Sequence, residues 1–262
     1  MNNQPLPAHD WKLWIYTNYD CNLRCTYCVA RSTPETPRRA IGLENIQRLV
    51  DEAVELGFSD LFLTGGEPLI LDEIYAMIDY ATPRIRTTLL TNAMLLHGKR
   101  MERLVECASP NLIVQVSLDG ACAEDHDAYR GAGTWAKTVA GIEALLERGF
   151  HVRLSTTETP ANTAHLADIC AFHERLGIPE SDHFVRPMAR RGFADSGVEV
   201  SMLNLAPELT VDVDGIFWHP LSTDKDMQVI KCIDSLAKAV DLVKKQLDTI
   251  ARTGQAPLMT FT

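Results

Sequence analysis

Cys21, Cys25 and Cys28 stand in the order C-x3-C-x2-C, three thiols crowded into eight consecutive positions. As thiolates, three cysteines on one short loop can hold three irons of a cubane cluster and leave the fourth iron without a protein ligand. An open iron is a place for chemistry, as the open position of a catalytic zinc site is. Structural zinc is the other reading of the same spacing. It needs a fourth ligand, and the next Cys or His along the chain is His97. Seven cysteines are an odd number, and no basic-then-apolar run opens the chain at Met1–Asp10. Metal ligation therefore comes before disulfides.

These residues need elements to hold them. Leu13–Tyr16, Leu61–Leu63, Thr88–Leu90, Leu112–Val116, Val152–Leu154 and Phe184–Val185 are short apolar runs that read as strands of a parallel sheet covered on both faces. Helical spacing appears between them, at Ile46, Leu49, Val50, Ala53 and Val54 with Gly57 as stop. It recurs at Trp135, Val139, Ile142 and Leu146, with Thr134 as N-cap and Gly149 as stop, and at Leu166, Ile169, Cys170 and Leu176, capped by Asn162. Such alternation calls for right-handed crossovers in a barrel or doubly wound sheet. Each apolar run ends in polar residues: Thr17-Asn18, Thr64, Thr91-Asn92, Ser117 to Asp119, Thr156 to Glu158, and Arg186. In a barrel of parallel strands the site lies at those carboxyl ends, which favours the barrel.

The chain has 262 residues, 46% hydrophobic, with a formal net charge of −10. That composition excludes wholesale disorder and a disulfide-stapled miniprotein. No run of apolar residues is long enough to span a membrane, and no basic stripe offers itself to a nucleic-acid backbone. The expected setting is the cytoplasm. After Gly192 the strand–helix alternation stops. Leu209–Trp218 reads as a hairpin turning at Asp214-Gly215, followed by a helix striped by Leu236, Val240, Val243, Leu247 and Ile250. We therefore expect two units, residues 1–192 and 193–262.

Cys21-Asn-Leu-Arg-Cys-Thr-Tyr-Cys28 resembles the signature of the radical S-adenosylmethionine (SAM) enzymes. Thr64-Gly65-Gly66-Glu67-Pro68 is similar to that family's GGEP motif, and Ser117-Leu-Asp-Gly120 with His126-Asp127 and Arg130-Gly131 resembles a segment of its peptide-modifying and molybdopterin-pathway branches. The resemblance implies an α/β fold, a partial six-fold (β/α) TIM-type barrel with a C-terminal β-hairpin and helix. It also implies one 4Fe–4S cluster on Cys21, Cys25 and Cys28, with SAM on its open iron. By the same resemblance Gly65 and Gly66 would present backbone to the methionine amino end, and Glu67 would accept from that ammonium or hold its loop. Ser117 would offer its hydroxyl, and Arg130 a planar fork to the methionine carboxylate. Tyr27 would border adenine, Asn92 would reach the ribose, and Val185 would touch adenine through its backbone.

Reductive cleavage of SAM would then give a 5′-deoxyadenosyl radical that abstracts hydrogen from a peptide, protein or natural-product precursor. A flavodoxin or ferredoxin-type protein would donate the electron. The tail resembles the opening of a SPASM module, but Trp218-His219-Pro220 stands where its cysteines would follow and only Cys232 lies beyond, so no auxiliary cluster is expected. Two other functions stay open: radical chemistry on a small nucleotide or cofactor precursor, and a non-catalytic iron–sulfur electron carrier. Intact Gly65-Gly66-Glu67 and Arg130 speak against the carrier, which needs no SAM pocket. Cys107, which ends a further helix, and Cys170 read as core residues, Cys122 as a loop thiol, and His219 as a solvated hairpin-end residue.

Overall fold

The structure, a computed structural model, describes residues 9–252. Six parallel strands follow one another, β1 (Lys12–Asn18), β2 (Asp60–Gly65), β3 (Arg86–Thr91), β4 (Leu112–Ser117), β5 (His151–Glu158) and β6 (His183–Pro187). Each pairs with its sequence neighbour, so the order β6-β5-β4-β3-β2-β1 is the walk of a barrel wall and not of a doubly wound sheet. All six apolar runs form strands, most of them lengthened by a residue or more at one or both ends. Leu13, Ile15, Leu61, Leu63, Leu89, Val114 and Leu154 are fully buried against the helices.

The crossovers are α1 (Leu43–Glu55), α2 (Ile74–Ala81), α3 (Lys99–Glu106), α4 (Ala123–Arg130), α5 (Thr134–Glu147) and α6 (Leu166–Arg175). In α1, Ile46, Leu49, Val50 and Ala53 form the buried stripe while Val54 stays exposed. Gly57 and Gly149 follow their helices at φ +75° and +74°, the left-handed conformation that ends a helix. Two cap assignments change. Gly133 is the N-cap of α5, and the Thr134 hydroxyl instead donates to Asp127 Oδ1 at 3.0 Å. Asn162 precedes a 3₁₀ turn, and its amide donates to the carbonyls of Asp119 and Thr157 at 2.7 and 2.9 Å.

The tail continues the same sheet. β7 (Leu209–Asp212) lies parallel to β1, and β8 (Gly215–Phe217) and β9 (Gln228–Ile230) add antiparallel strands to give nine among the described residues. The hairpin therefore covers the β1 edge, where unpaired backbone groups would otherwise lie beside a buried strand. α7 (Leu236–Arg252) buries Leu236, Val240 and Val243, packs Leu247 on the core, and keeps Lys244, Lys245 and Asp248 in water. Among the described residues no helix is long and apolar enough to cross a membrane.

Candidate active site

The carboxyl ends of β1 to β6 surround one pocket. Cys21, Cys25, Tyr27 and Cys28 line it, together with Gly65, Gly66, Glu67, Asn92, Ser117 and Arg130. Each of β2 to β6 brings at least one of its expected strand-end polar residues here, Thr64, Thr91 with Asn92, Ser117, Thr157 and Arg186, whereas Thr17 and Asn18 do not line the pocket. Pro220 and Leu221 of the tail complete the wall. Val185 stands apart. It is 38% exposed, and β6 meets the pocket through Arg186 and Pro187 instead.

The cysteine loop is held by the β2 end. Gly66 N–H donates to Asn18 O at 2.8 Å and Glu67 N–H to Asp20 O at 3.0 Å. A Cβ on Gly65 would stand 2.3 Å from Asn18 O, and one on Gly66 would stand 2.1 Å from Asp20 O. The two glycines let this loop lie directly on the backbone that leads into Cys21. Glu67 is buried, and its carboxylate accepts from Leu69 N–H, the Thr91 hydroxyl and Asn92 N–H at 3.1, 2.7 and 2.9 Å. Burial raises its pKa, and these three donors oppose the rise. Of the two roles weighed for Glu67, its protein partners support holding the loop. Asn92 is similarly engaged: its side-chain amide donates to Asn22 Oδ1 at 2.8 Å, and its own Oδ1 accepts from Met94 N–H at 3.0 Å.

Behind Tyr27 and Arg130 sits a residue that sequence reasoning quoted but gave no role. Asp119 is fully buried just beyond β4, and its Oδ2 accepts from the Tyr27 hydroxyl and from Arg130 Nε, the latter at 2.6 Å. Its Oδ1 accepts from Thr157 N–H at 2.9 Å. Asp119 thereby joins the cysteine loop, α4 and β5 through one carboxylate. Burial alone would disfavour the Arg130 charge, but Asp119 beside it holds its pKa well above the usual range. With Nε engaged, only the terminal guanidinium nitrogens are left to meet a ligand. The signal in the sequence was position alone, two residues past the strand-end serine.

The donor set can be tested against a metal. Among the described residues, the group of three or more metal-ligating side chains whose ligand atoms fall within 4.8 Å of one another is Cys170, His173 and His183, and Cys21, Cys25 and Cys28 do not meet that spacing. Three thiols that share a pocket without converging on a point do not suit a single zinc ion, whose ligands stand about 2.3 Å from one centre. They suit a larger polynuclear group. Desolvation first, then the Glu67 carboxylate, pushes the Cys21 thiol up to about 12, and desolvation pushes Cys25 up to about 11. Bare thiolates are disfavoured here, so bound iron would supply the compensating charge. Leu23 N–H and Ser32 N–H donate to the sulfurs of Cys21 and Cys28, each at 3.4 Å, as thiolate ligands require.

The profile described as the Radical SAM superfamily matches residues 15–161, more than half of the chain. This chain belongs to the radical SAM superfamily. Radical SAM proteins use a 4Fe–4S cluster and SAM, and the pocket's donors fit that pair. An AdoMet-dependent heme synthase of Methanosarcina barkeri is 33% identical over 183 residues, covering 69% of this chain and 51% of that protein. The mycofactocin maturase MftC of Mycobacterium ulcerans is 33% identical over 179 residues, covering 68% and 47%. The chain thus spans about half the length of these curated relatives. In fold it resembles Streptococcus suis SuiB bound to SAM, with a TM-score of 0.61 at 18% identity, over 97% of this chain and 51% of that one. SuiB is also solved with its precursor peptide SuiA. The likeness confirms the partial barrel.

The other cysteines and His219 fall outside the ligand loop. Cys107 is buried as expected. Cys122 is exposed and borders a separate hollow with Asp125, His165 and Asp168. Cys170 is only half-buried and sits beside two histidines, contrary to its reading as plain core. His219 is fully buried, not solvated, in the turn after β8 whose next residues, Pro220 and Leu221, line the pocket.

Proposed function

We propose that this chain is a radical SAM enzyme in which Cys21, Cys25 and Cys28 hold the cluster and the surrounding strand ends hold SAM. The observation that carries this is the gathering of the three thiols, Gly65-Gly66, Ser117 and Arg130 around one pocket at the carboxyl ends of the parallel strands. When bound, the cluster supplies the electron that splits SAM and so yields the 5′-deoxyadenosyl radical for hydrogen abstraction. The chain's own groups bind, orient and enclose. Arg130, oriented by Asp119, offers its remaining donors to the SAM carboxylate. Gly65 and Gly66 give backbone atoms to its amino end, and the Ser117 hydroxyl takes a further polar group. Tyr27, fixed by Asp119, borders the adenine side, with Asn92 towards the ribose and the β6 backbone near Val185 beyond it. Tail residues Pro220 and Leu221 narrow the mouth and exclude water from the reacting carbon.

The substrate we favour is a peptide or protein precursor, and the likeness to SuiB, solved with a precursor peptide, supports this. The identity to a heme synthase supports a second reading, radical chemistry on a small cofactor precursor. A flavodoxin or ferredoxin-type protein is the proposed electron donor, in the cytoplasm. Residues 1–192 would form the radical-generating unit and 193–262 the extension that covers β1. The test is anaerobic reconstitution followed by reduction with dithionite. We expect about four irons and four sulfides per chain, with 5′-deoxyadenosine released from SAM, and loss of that release in Cys25→Ala. Stoichiometric zinc without iron would overturn the cluster, and about eight irons would show a second one. Stimulation of the release by precursor peptides, or by small cofactor precursors instead, decides between the two substrate readings.

A further inference from the structure

Outside the pocket, on the far flank of the barrel wall, Cys170 and His173 of α6 meet His183 at the start of β6. One ligand atom from each lies within 4.8 Å of the others. Cys170 Sγ is 3.9 Å from His183 Nδ1, and the two imidazole centroids are 4.3 Å apart. The i, i+3 spacing of Cys170 and His173 puts both on one face of the helix, and the turn through Ile178 brings His183 back to it.

The hydrogen bonds around the trio decide which nitrogens are available. His173 Nδ1 lies 3.0 Å from Ile178 O, a carbonyl that can only accept, so Nδ1 carries the proton and Nε2 the lone pair. That Nε2 is buried without a partner, on a side chain 1% exposed. His183 Nε2 lies 2.8 Å from Thr156 Oγ1, whose own proton is donated to Leu118 O at 2.7 Å. The Thr156 oxygen therefore accepts, His183 Nε2 carries the proton, and the Nδ1 lone pair faces Cys170. Each histidine donates one N–H to a protein oxygen and keeps the other nitrogen as a lone pair, that of His183 facing the Cys170 sulfur and that of His173 buried without a partner. Metal-ligating histidines are oriented in this way. A thiol–imidazole hydrogen bond alone would satisfy one nitrogen and leave His173 Nε2 orphaned, at the usual cost of a buried unpaired group.

We infer that Cys170, His173 and His183 form a second metal site, separate from the cysteine loop, that takes a borderline-soft divalent ion, zinc foremost. One thiolate and two imidazoles are zinc donors, with a water or open position as the fourth. The site clips α6 to β6, which among the described residues is an edge strand of the sheet paired with β5. β6 also carries Arg186 and Pro187 to the pocket, so the clip steadies one wall of the active site.

The experiment uses the full chain with its iron–sulfur site reconstituted, so that the cysteine loop is filled before zinc is added. After dialysis, metal analysis should find about one zinc per chain alongside unchanged iron. Cys170→Ala and His183→Gln, both at half-buried positions, should retain the iron and lose the zinc. Cobalt in place of zinc should give a thiolate-to-metal charge-transfer band that Cys170→Ala abolishes. Zinc should raise the melting temperature of the wild type and not of Cys170→Ala. Zinc no higher in the wild type than in Cys170→Ala would overturn the inference and leave a buried water as the bridge. Zinc that persists in Cys170→Ala but vanishes in Cys25→Ala would overturn it equally, by placing the ion on the cysteine loop.

Discussion

Arg130 shows how much a single side chain can be asked to do. It is 8% exposed and paired with a carboxylate that is wholly buried. Removing it strands Asp119 without its charge partner, which costs about 3–5 kcal/mol for a buried pair broken on one side. Arg130→Ala should therefore lose stability as well as SAM affinity, whereas a purely ligand-facing arginine would lose affinity alone. Denaturant unfolding beside a SAM titration separates the two; unchanged stability would show that the pair is not coupled in solution. His219 gives a second residue-scale expectation. Burial first, and the nearby Arg186 guanidinium second, depress its pKa from 6.5 to about 3. The unfolded chain then binds a proton that the fold does not, so stability is complete above pH 6.5 and falls as pH drops toward 3. The contribution is up to about 5 kcal/mol. Leu221 N–H donates to His219 Nδ1 at 3.3 Å, and Asn can offer an oxygen there without titrating. His219→Asn should flatten the acid limb of a stability–pH curve, and an unaltered limb would assign the slope to other groups.

At the scale of elements, the β2 end and the cysteine loop behave as one piece. Gly66 packs so closely on Asp20 that any side chain must push the loop away from the strand ends. Overpacking of this kind costs on the order of 1–3 kcal/mol, but the larger effect falls on geometry. Gly66→Ala should fold, since its neighbours on β1 and β2 are unchanged, and yet hold much less iron after reconstitution. Full iron content in that variant would mean the loop tolerates displacement and is not positioned by this contact. The same contact explains why a GG pair follows the strand at all. An ordinary turn needs one permissive residue, whereas here two successive positions meet backbone.

For the molecule as a whole, the decisive contact is β7 on β1. Leu13, Trp14 and Ile15 pair with Leu209, Thr210 and Val211, so the strand that leads into Cys21 has a partner on each side. Further contacts tie the tail to the loop and to β1: Phe193 N–H donates to Cys28 O at 3.1 Å, and the Tyr16 hydroxyl of β1 to Pro220 O at 2.7 Å. Truncation after Gly192 would bare the β1 edge and the apolar side chains beneath the hairpin. We expect insoluble protein, or soluble protein unable to retain iron, rather than a merely inactive enzyme. A truncated chain that binds its cluster and cleaves SAM at the full-length rate would make the tail a detachable accessory.

Periodicity and punctuation in the sequence sufficed for the six strands, the longer helices and the tail stripe, because each is a local pattern of apolar residues repeated over several turns or a whole strand. The ligand loop and the glycine pair were legible for a related reason: their chemistry depends on residue type at short spacing. The helices α2 and α4 were not marked, and α3 only by its end at Cys107. Each is eight residues long, too short for a period to stand out: α2 is apolar at nearly every position, α3 buries only Met101 and Leu104, and α4 buries Asp125, His126 and Arg130. What the chain could not announce was partnership at a distance. Asp119 and Arg130 pair across α4, Asp119 also reaches Tyr27 from ninety-two positions away, and Cys170 and His183 meet only because α6 packs beside β6. His219 was read as solvated because it ends a hairpin, yet the fold buries it. Local pattern sets which segments become strands and helices; burial, charge pairing and ligand convergence belong to the packed sheet, since they depend on residues that only tertiary contact brings together.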